Sequence, residues 1–259
     1  MKTELLEFKN KSGATLRGML TKYNSKKTVI LIHGFEGTAT QKKFKLIADE
    51  LSKREISSLR FDYEGCGISD GNFRSFTVKR MTQNFAAAIS AVRRENNSDI
   101  IIPVAHSLSA CVIADYLSEK NQFDKIALMA PALNQKDLLR YWFVQSNNKD
   151  KAINWHNYRG YLKEQEFMRY CRKKGKMTGM NYLDSEYFIE NIDKDYSHML
   201  NDYSDRILLI HGQEDDVVPL ESINVKFRNR VIVKKGDHDL ERPDIVSQWL
   251  GRCINFLSN

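Results

Sequence analysis

Three short stretches of this chain, far apart and in a fixed order, hold a hydroxyl, a carboxylate and an imidazole. They are Ala105-His106-Ser107-Leu108-Ser109, His211-Gly212-Gln213-Glu214-Asp215 and Gly236-Asp237-His238. A serine hydroxyl is a weak nucleophile at neutral pH and needs a neighbouring base to take its proton. His238 suits that task, being the one histidine of six that follows Asp215. Asp215 would then hold the imidazole in the right tautomer. The pattern His-Gly-x-x-Asp-x-x-Val-Pro puts the acid at Asp215, with Asp216 as its immediate competitor. Taken alone, Ser107 also suits a helix N-cap after a strand. With its two partners present it reads as a nucleophile. The order Ser, Asp, His differs from the chymotrypsin and subtilisin orders and points to acyl transfer on a strand-turn-helix elbow.

Each of these groups needs an element to position it. The apolar run Ile100-Ile101-Ile102-Pro103-Val104 precedes Ser107, and Ala110 to Leu117 follows with a helical pattern. A sharp turn between the two would lift the hydroxyl out of a sheet and aim a helix N-terminus at it. Glycines usually stand two residues before and two after such a serine. Here those places are taken by Ala105 and Ser109, small substitutes beneath the turn. His33-Gly34-Phe35 follows a strand ending at Ile32, which makes the Phe35 and Leu108 backbone amides the candidate oxyanion donors. His33 and His211 read as structural. The glycine-punctuated loop from Asp62 to Gly71 lacks the spacing and following lysine of a phosphate-binding loop, and Cys66 within it reads as a small filler. His156 and His198 show no ligand spacing, so neither a metal nor a cofactor is expected.

Strand-like runs at Glu4–Phe8, Thr15–Thr21, Val29–Ile32, Ile56–Phe61, Ile100–Val104, Ile126–Met129, Ile207–Ile210 and Val231–Val233 bracket helical patterns. Those patterns lie at Gln41–Arg54, Val78–Arg93, Ala110–Leu117, Ser222–Phe227 and Pro243–Leu257. Such alternation predicts an α/β fold, a mostly parallel sheet with helices on both faces. It breaks once, between Pro131 and Tyr203. That stretch carries eight of the eleven tyrosines together with Trp142 and Trp155, and reads as irregular helices. The expected partition is a core of residues 1–133 and 204–259 with an inserted helical lid at 134–203. Within the lid, Leu138, Tyr141, Trp142 and Gln145 share one helix face. That face must bury against the core or line an acyl pocket, which makes Tyr141 and Trp142 candidate substrate contacts.

These motifs resemble the α/β-hydrolase fold over the whole chain except the lid. His33-Gly34-Phe35 and Arg60-Phe61-Asp62-Tyr63-x-Gly65-x-Gly67-x-Ser69-Asp70-Gly71 are similar to the bacterial cinnamoyl/feruloyl esterase group. The elbow departs from that group's Gly-His-Ser-x-Gly-Gly. Ser107-Leu108-Ser109-Ala110 and Gly236-Asp237-His238-Asp239-Leu240 instead resemble the bacterial bioluminescence acyl-transferase, a thioesterase of fatty acyl carriers. The resemblances imply a serine hydrolase of carboxylic esters or thioesters working through an acyl-enzyme. The rivals are an acyl-transferase with the same triad and a non-catalytic binding module of the same fold.

Composition sets the outer bounds. The chain has 259 residues, 42% of them apolar and 28% charged, which suits one α/β domain with an insertion. A net charge of +7 comes from lysines and arginines scattered in twos and threes among 33 acidic residues. No nucleic-acid recognition motif accompanies them. No apolar run reaches the roughly 20 residues of a membrane-spanning helix, and no apolar leader is evident. Cys66, Cys111, Cys171 and Cys253 are too widely spaced for a zinc site or a disulfide framework, so a cytoplasmic location is expected. Oligomeric state is left open.

Overall fold

In the computed structural model, which describes residues 2–119, 123–173, 175–178 and 181–259, the chain opens with an antiparallel hairpin. Its strands are β1 (Lys2–Lys9) and β2 (Thr15–Lys22), in register from Lys2↔Lys22 to Lys9↔Thr15. The Asn10 side chain closes the turn by accepting from the amides of Ser12 and Ala14. Strands and helices then alternate: β3 (Lys27–Ile32), α1 (Lys42–Ser52), β4 (Ser57–Phe61), α2 (Val78–Asn96), β5 (Ile100–His106), α3 (Ser109–Glu119) and β6 (Ile126–Met129). An insertion follows, with α4 (Gln135–Asn147), α5 (Glu164–Arg172), a hairpin of β7 (Lys176–Thr178) and β8 (Asn181–Leu183), and α6 (Ser185–Asn191). The core resumes with β9 (Ile207–Gly212), β10 (Asn229–Val233) and α7 (Pro243–Ser258).

The main sheet has eight strands in the order β1-β2-β4-β3-β5-β6-β9-β10. β4 through β10 in that order are parallel, and β2 joins β4 antiparallel. Alternate residues of the central strands enter two different cores, as strand geometry dictates. Val29, Leu31, Ile102 and Val104 face α1 and α7, whereas Ile30, Ile32, Ile101 and Ala105 face α2 and α3. Trp249 of α7 is fully buried and donates from Nε1 to the Leu240 carbonyl, 3.1 Å away. Truncating such a side chain to alanine costs about 3–5 kcal/mol. Thr77 caps α2 by accepting from the Arg80 amide, and Asn97 ends that helix with φ +47°. Pro243 stands at the start of α7, where its missing N–H has no intrahelical partner to lose.

Two expectations need correction. Ser222–Phe227 is not a helix: a 3-10 turn at Leu220–Ser222 gives way to irregular chain. Val225 and Phe227 are buried while Asn224, Lys226 and Arg228 are exposed, a period of two that only extended chain can satisfy. The insertion is also not wholly helical, since β7 and β8 pair antiparallel from Lys176↔Leu183 to Thr178↔Asn181. Three-residue strands are too short to leave a readable alternation.

Parallel strands point their C-terminal ends to one edge of the sheet. Register places Ile32 beside Ala105, His106 beside Met129, Met129 beside Ile210 and Gly212 beside Val233. The loops leaving β3, β5, β9 and β10 therefore converge there, which is where open α/β sheets build their sites.

Candidate active site

Ser107 sits between the end of β5 and the start of α3 with φ +54°, in the left-handed region that a residue with a Cβ rarely adopts. Such a conformation costs on the order of 1–3 kcal/mol and persists only when its surroundings hold it. Three hydrogen bonds do so. The Ser107 amide donates to the Met129 carbonyl at 2.9 Å, while its carbonyl accepts from Ala110 at 3.0 Å and Ala132 at 3.1 Å. The loop after β3 packs directly on the elbow, for a Cβ on Gly34 would lie 2.8 Å from the Ser107 Cβ. Ser109, in the place usually held by glycine, is fully buried. Its hydroxyl donates to the His33 carbonyl and accepts from the Tyr63 hydroxyl at 2.9 Å.

The other two members arrive from β9 and β10. His238 Nδ1 donates to Asp215 Oδ2 at 2.9 Å, and His238 Nε2 accepts from Ser107 Oγ at 3.0 Å. Asp215 Oδ1 accepts from the amides of Val217 and Val218 at 3.1 and 2.8 Å, so this carboxylate is buried but fully engaged. Asp216 is exposed and lends only its main-chain carbonyl, to the Tyr141 hydroxyl. The loops of acid and base touch at two glycines, where a Cβ on Gly236 would lie 2.8 Å from the Gly212 Cα. His106 Nε2 donates to the His238 carbonyl at 3.0 Å, and Glu241 in the same loop pairs with the buried Lys43 at 3.0 Å.

His33 and His211 are each hydrogen-bonded within the scaffold. His33 donates from Nδ1 to the Gly34 carbonyl and accepts at Nε2 from the Tyr63 amide, which fixes one neutral tautomer. His211 Nε2 donates to the Val218 carbonyl at 2.8 Å. Burial lowers the pKa of His33, His106 and His211 alike, chiefly because the charged form loses its water. The loop after β4 is likewise a scaffold: Asp62 accepts from the amides of Ala39 and Ile68 at 2.6 and 3.1 Å. Cys66 is buried, and desolvation pushes its thiol up to about 12, which keeps it protonated and inert.

Ser107 and His238 open into a cavity of about 470 Å³. Phe35 and Leu108 form its wall beside the serine, and Glu36 lies next to them. The insertion supplies most of the rest, Leu139, Trp142, Phe143 and Ser146 from α4, Tyr170 from α5, Met177 and Leu183 from the hairpin, and Tyr187 and Phe188 from α6, while Val217 comes from the loop after β9. Trp142 thus lies where the helix-face argument puts a substrate contact, with Nε1 donating to the Val217 carbonyl at 2.6 Å. Tyr141 does not line this cavity. It packs with Leu138, Val144, Tyr158 and Val218 in a separate cluster, bonded through its hydroxyl to Asp216. Sequence reasoning missed Glu36, the hairpin and the aromatics of α5 and α6, whose signal was the concentration of tyrosine in the insertion. Among the described residues, no group of side chains could hold a metal ion, and no helix is long and apolar enough to cross a membrane.

Comparison with solved structures supports the same architecture. Est1E from Butyrivibrio proteoclasticus, solved with ferulic acid bound, has a TM-score of 0.74 at 17% identity, covering 97% of each chain. The α/β hydrolase GrgF from Penicillium sp. sh18 has a TM-score of 0.72 at 18% identity, over 99% of this chain and 98% of the other. The Pyrococcus furiosus esterase Pf2001 has a TM-score of 0.67 at 19% identity, over 99% of this chain and 90% of the other. No curated protein matches the chain in sequence. The family model described as Hydrolase_4, serine aminopeptidase S33, matches residues 23–235. The elbow serine after β5 and the carboxylate after β9 stand inside that span, the histidine after β10 just beyond it, and the chain belongs to this serine aminopeptidase S33 family of α/β-hydrolases.

Proposed function

We propose that the chain is a serine esterase that cleaves esters or thioesters of apolar acyl groups. The observation that carries this reading is the unbroken line from Asp215 Oδ2 through His238 to Ser107 Oγ, opening into an apolar cavity. As Ser107 Oγ attacks the acyl carbon, His238 Nε2 takes its proton, and Asp215 stabilises the imidazolium that forms. The amides of Phe35 and Leu108 receive the charge that develops on the carbonyl oxygen, an effect worth about 3–4 kcal/mol per donor. The tetrahedral intermediate collapses, and His238 returns the proton to the departing alcohol or thiol. Water then attacks the acyl-enzyme with His238 again as base, releasing the acid and restoring Ser107. Residues 134–203 act as the lid that shapes the acyl pocket. The four cysteines are buried and unbridged, which suits a reducing compartment such as the cytoplasm.

An aminopeptidase would need an anion free to receive the substrate ammonium. Among the described cavity residues the one carboxylate is Glu36, whose Oε1 already accepts two hydrogen bonds from Asn181. The mostly apolar lining around that single carboxylate favours apolar acyl esters over charged N-terminal peptides. The test is fluorophosphonate labelling of wild type and Ser107→Ala, with turnover of p-nitrophenyl esters of graded chain length beside acyl-CoA thioesters. Loss of label and a fall of roughly 10³-fold or more in turnover are expected for Ser107→Ala. Label retained by Ser107→Ala would overturn the assignment. Addition of alcohol acceptors during turnover separates hydrolysis from acyl transfer.

A further inference from the structure

Glu36 follows the Phe35 oxyanion residue and has φ +53°. It is the third residue of the turn Gly34–Gly37, which the Gly37 amide closes on the Gly34 carbonyl at 3.2 Å. A positive φ there is the mark of a type II turn, and glycine or asparagine usually supplies it. A glutamate left to itself favours a type I turn, in which the peptide between Phe35 and Glu36 is rotated by about half a turn. Something outside the turn must hold this form.

The insertion reaches this turn. Asn181, the first residue of β8, donates to Glu36 Oε1 from both its backbone amide at 3.0 Å and its side-chain Nδ2 at 2.9 Å. The hairpin is itself fixed to the core, since Asp184 pairs with Arg74 at 2.9 Å and donates its amide to the Arg74 carbonyl at 2.9 Å. The Phe35 ring packs against Tyr187 of α6 at 5.6 Å.

We infer that the Glu36–Asn181 pair is a latch by which the lid hairpin sets the oxyanion turn, making Glu36 a positioning residue for the Phe35 amide. The inference rests on the esterase reading above, with Phe35 as an oxyanion donor. A hairpin displaced from its seat would release the turn, so the oxyanion site is complete only while the lid is docked. Since Leu183 of the same hairpin lines the acyl cavity, acyl fit and oxyanion geometry are set by one element.

Four variants separate this role from a merely structural one, each followed by kcat and KM on a p-nitrophenyl ester, fluorophosphonate labelling rate and melting temperature. Glu36→Gln keeps the acceptor oxygen and should keep wild-type kcat. Glu36→Ala and Asn181→Ala should each lose on the order of 10- to 100-fold in kcat with KM and melting temperature little changed, the size expected for a displaced oxyanion donor. Glu36→Gly breaks the latch but favours the positive φ by itself, and should recover most of the loss. The double alanine variant should be no worse than either single one. Wild-type kcat in Glu36→Ala, or equal damage in Glu36→Gly and Glu36→Ala, would overturn the latch while wild-type labelling and turnover leave the esterase reading intact. A wild-type chain that takes no label and cleaves no ester would overturn both.

Discussion

The Ser109 hydroxyl donates to the main-chain carbonyl of His33, tying the first turn of α3 to the end of β3. The Tyr63 hydroxyl completes the arrangement from the loop after β4. Where glycine would only make room, this serine joins the Ser107 turn to the loop after β3. Ser109→Ala should therefore keep fluorophosphonate labelling. It should lose about 1–3 kcal/mol of stability, because two buried polar groups lose their partner. Denaturant melts measure the loss, and disappearance of the label would move the nucleophile assignment away from Ser107.

Asp215 and Asp216 are adjacent yet stand in different environments, one buried on His238 and the other exposed. Asp215→Asn should lower turnover on the order of 10⁴-fold by releasing the histidine tautomer. Asp216→Asn should be nearly silent, since only its main-chain carbonyl is bonded. Steady-state rates of the two variants decide, and the reverse ranking would transfer the role to Asp216.

Trp142 and Tyr141 are consecutive on α4 but serve different neighbours. Trp142→Ala enlarges the cavity beside Ser107 and should shift the preferred acyl chain length, each methylene of fit being worth about 1–3 kcal/mol. Tyr141→Phe should leave that preference unchanged and cost about 0.5–1.5 kcal/mol of stability for each of the lost bonds to Asp216 and Gln145. A chain-length series and thermal melts on both variants test the division. An unchanged chain-length profile in Trp142→Ala would make that residue structural.

Stability should fall as pH drops below about 6.5, the ordinary histidine value. His33, His106 and His211 have lowered pKa values in the folded chain, so below that pH the unfolded chain binds protons that the folded one refuses. The folded state is then penalised, and the contribution present above about pH 6.5 is lost progressively toward the lower folded-state values. Asp70, held down to about 2 by Arg17, belongs to a separate window that opens only below about pH 4. Urea midpoints at pH 7.5 and 5.5 provide the check, and equal midpoints would contradict the buried neutral assignment.

What the sequence by itself determined is whatever depends on local order. The apolar run Ile100 to Val104 reads as a strand, buried from Ile101 onward, with Ser107 just past its end. The order Ser107, Asp215, His238 then pointed to a sheet in which three strand ends meet. Tertiary structure decided what depends on distant partners. Ser222–Phe227 reads as a helix in sequence, and the burial of Val225 and Phe227 shows extended chain instead. Tyr141 and Trp142 share one helix and differ only in what lies across from each, a packed cluster for one and the cavity for the other. Glu36 carries no signal in its own neighbourhood. Its carboxylate accepts from Asn181, which stands 145 residues away in the chain, and nothing near it in sequence announces its positive φ. Hydrophobic periodicity records which face a residue turns inward, but contacts between remote segments leave no period to read.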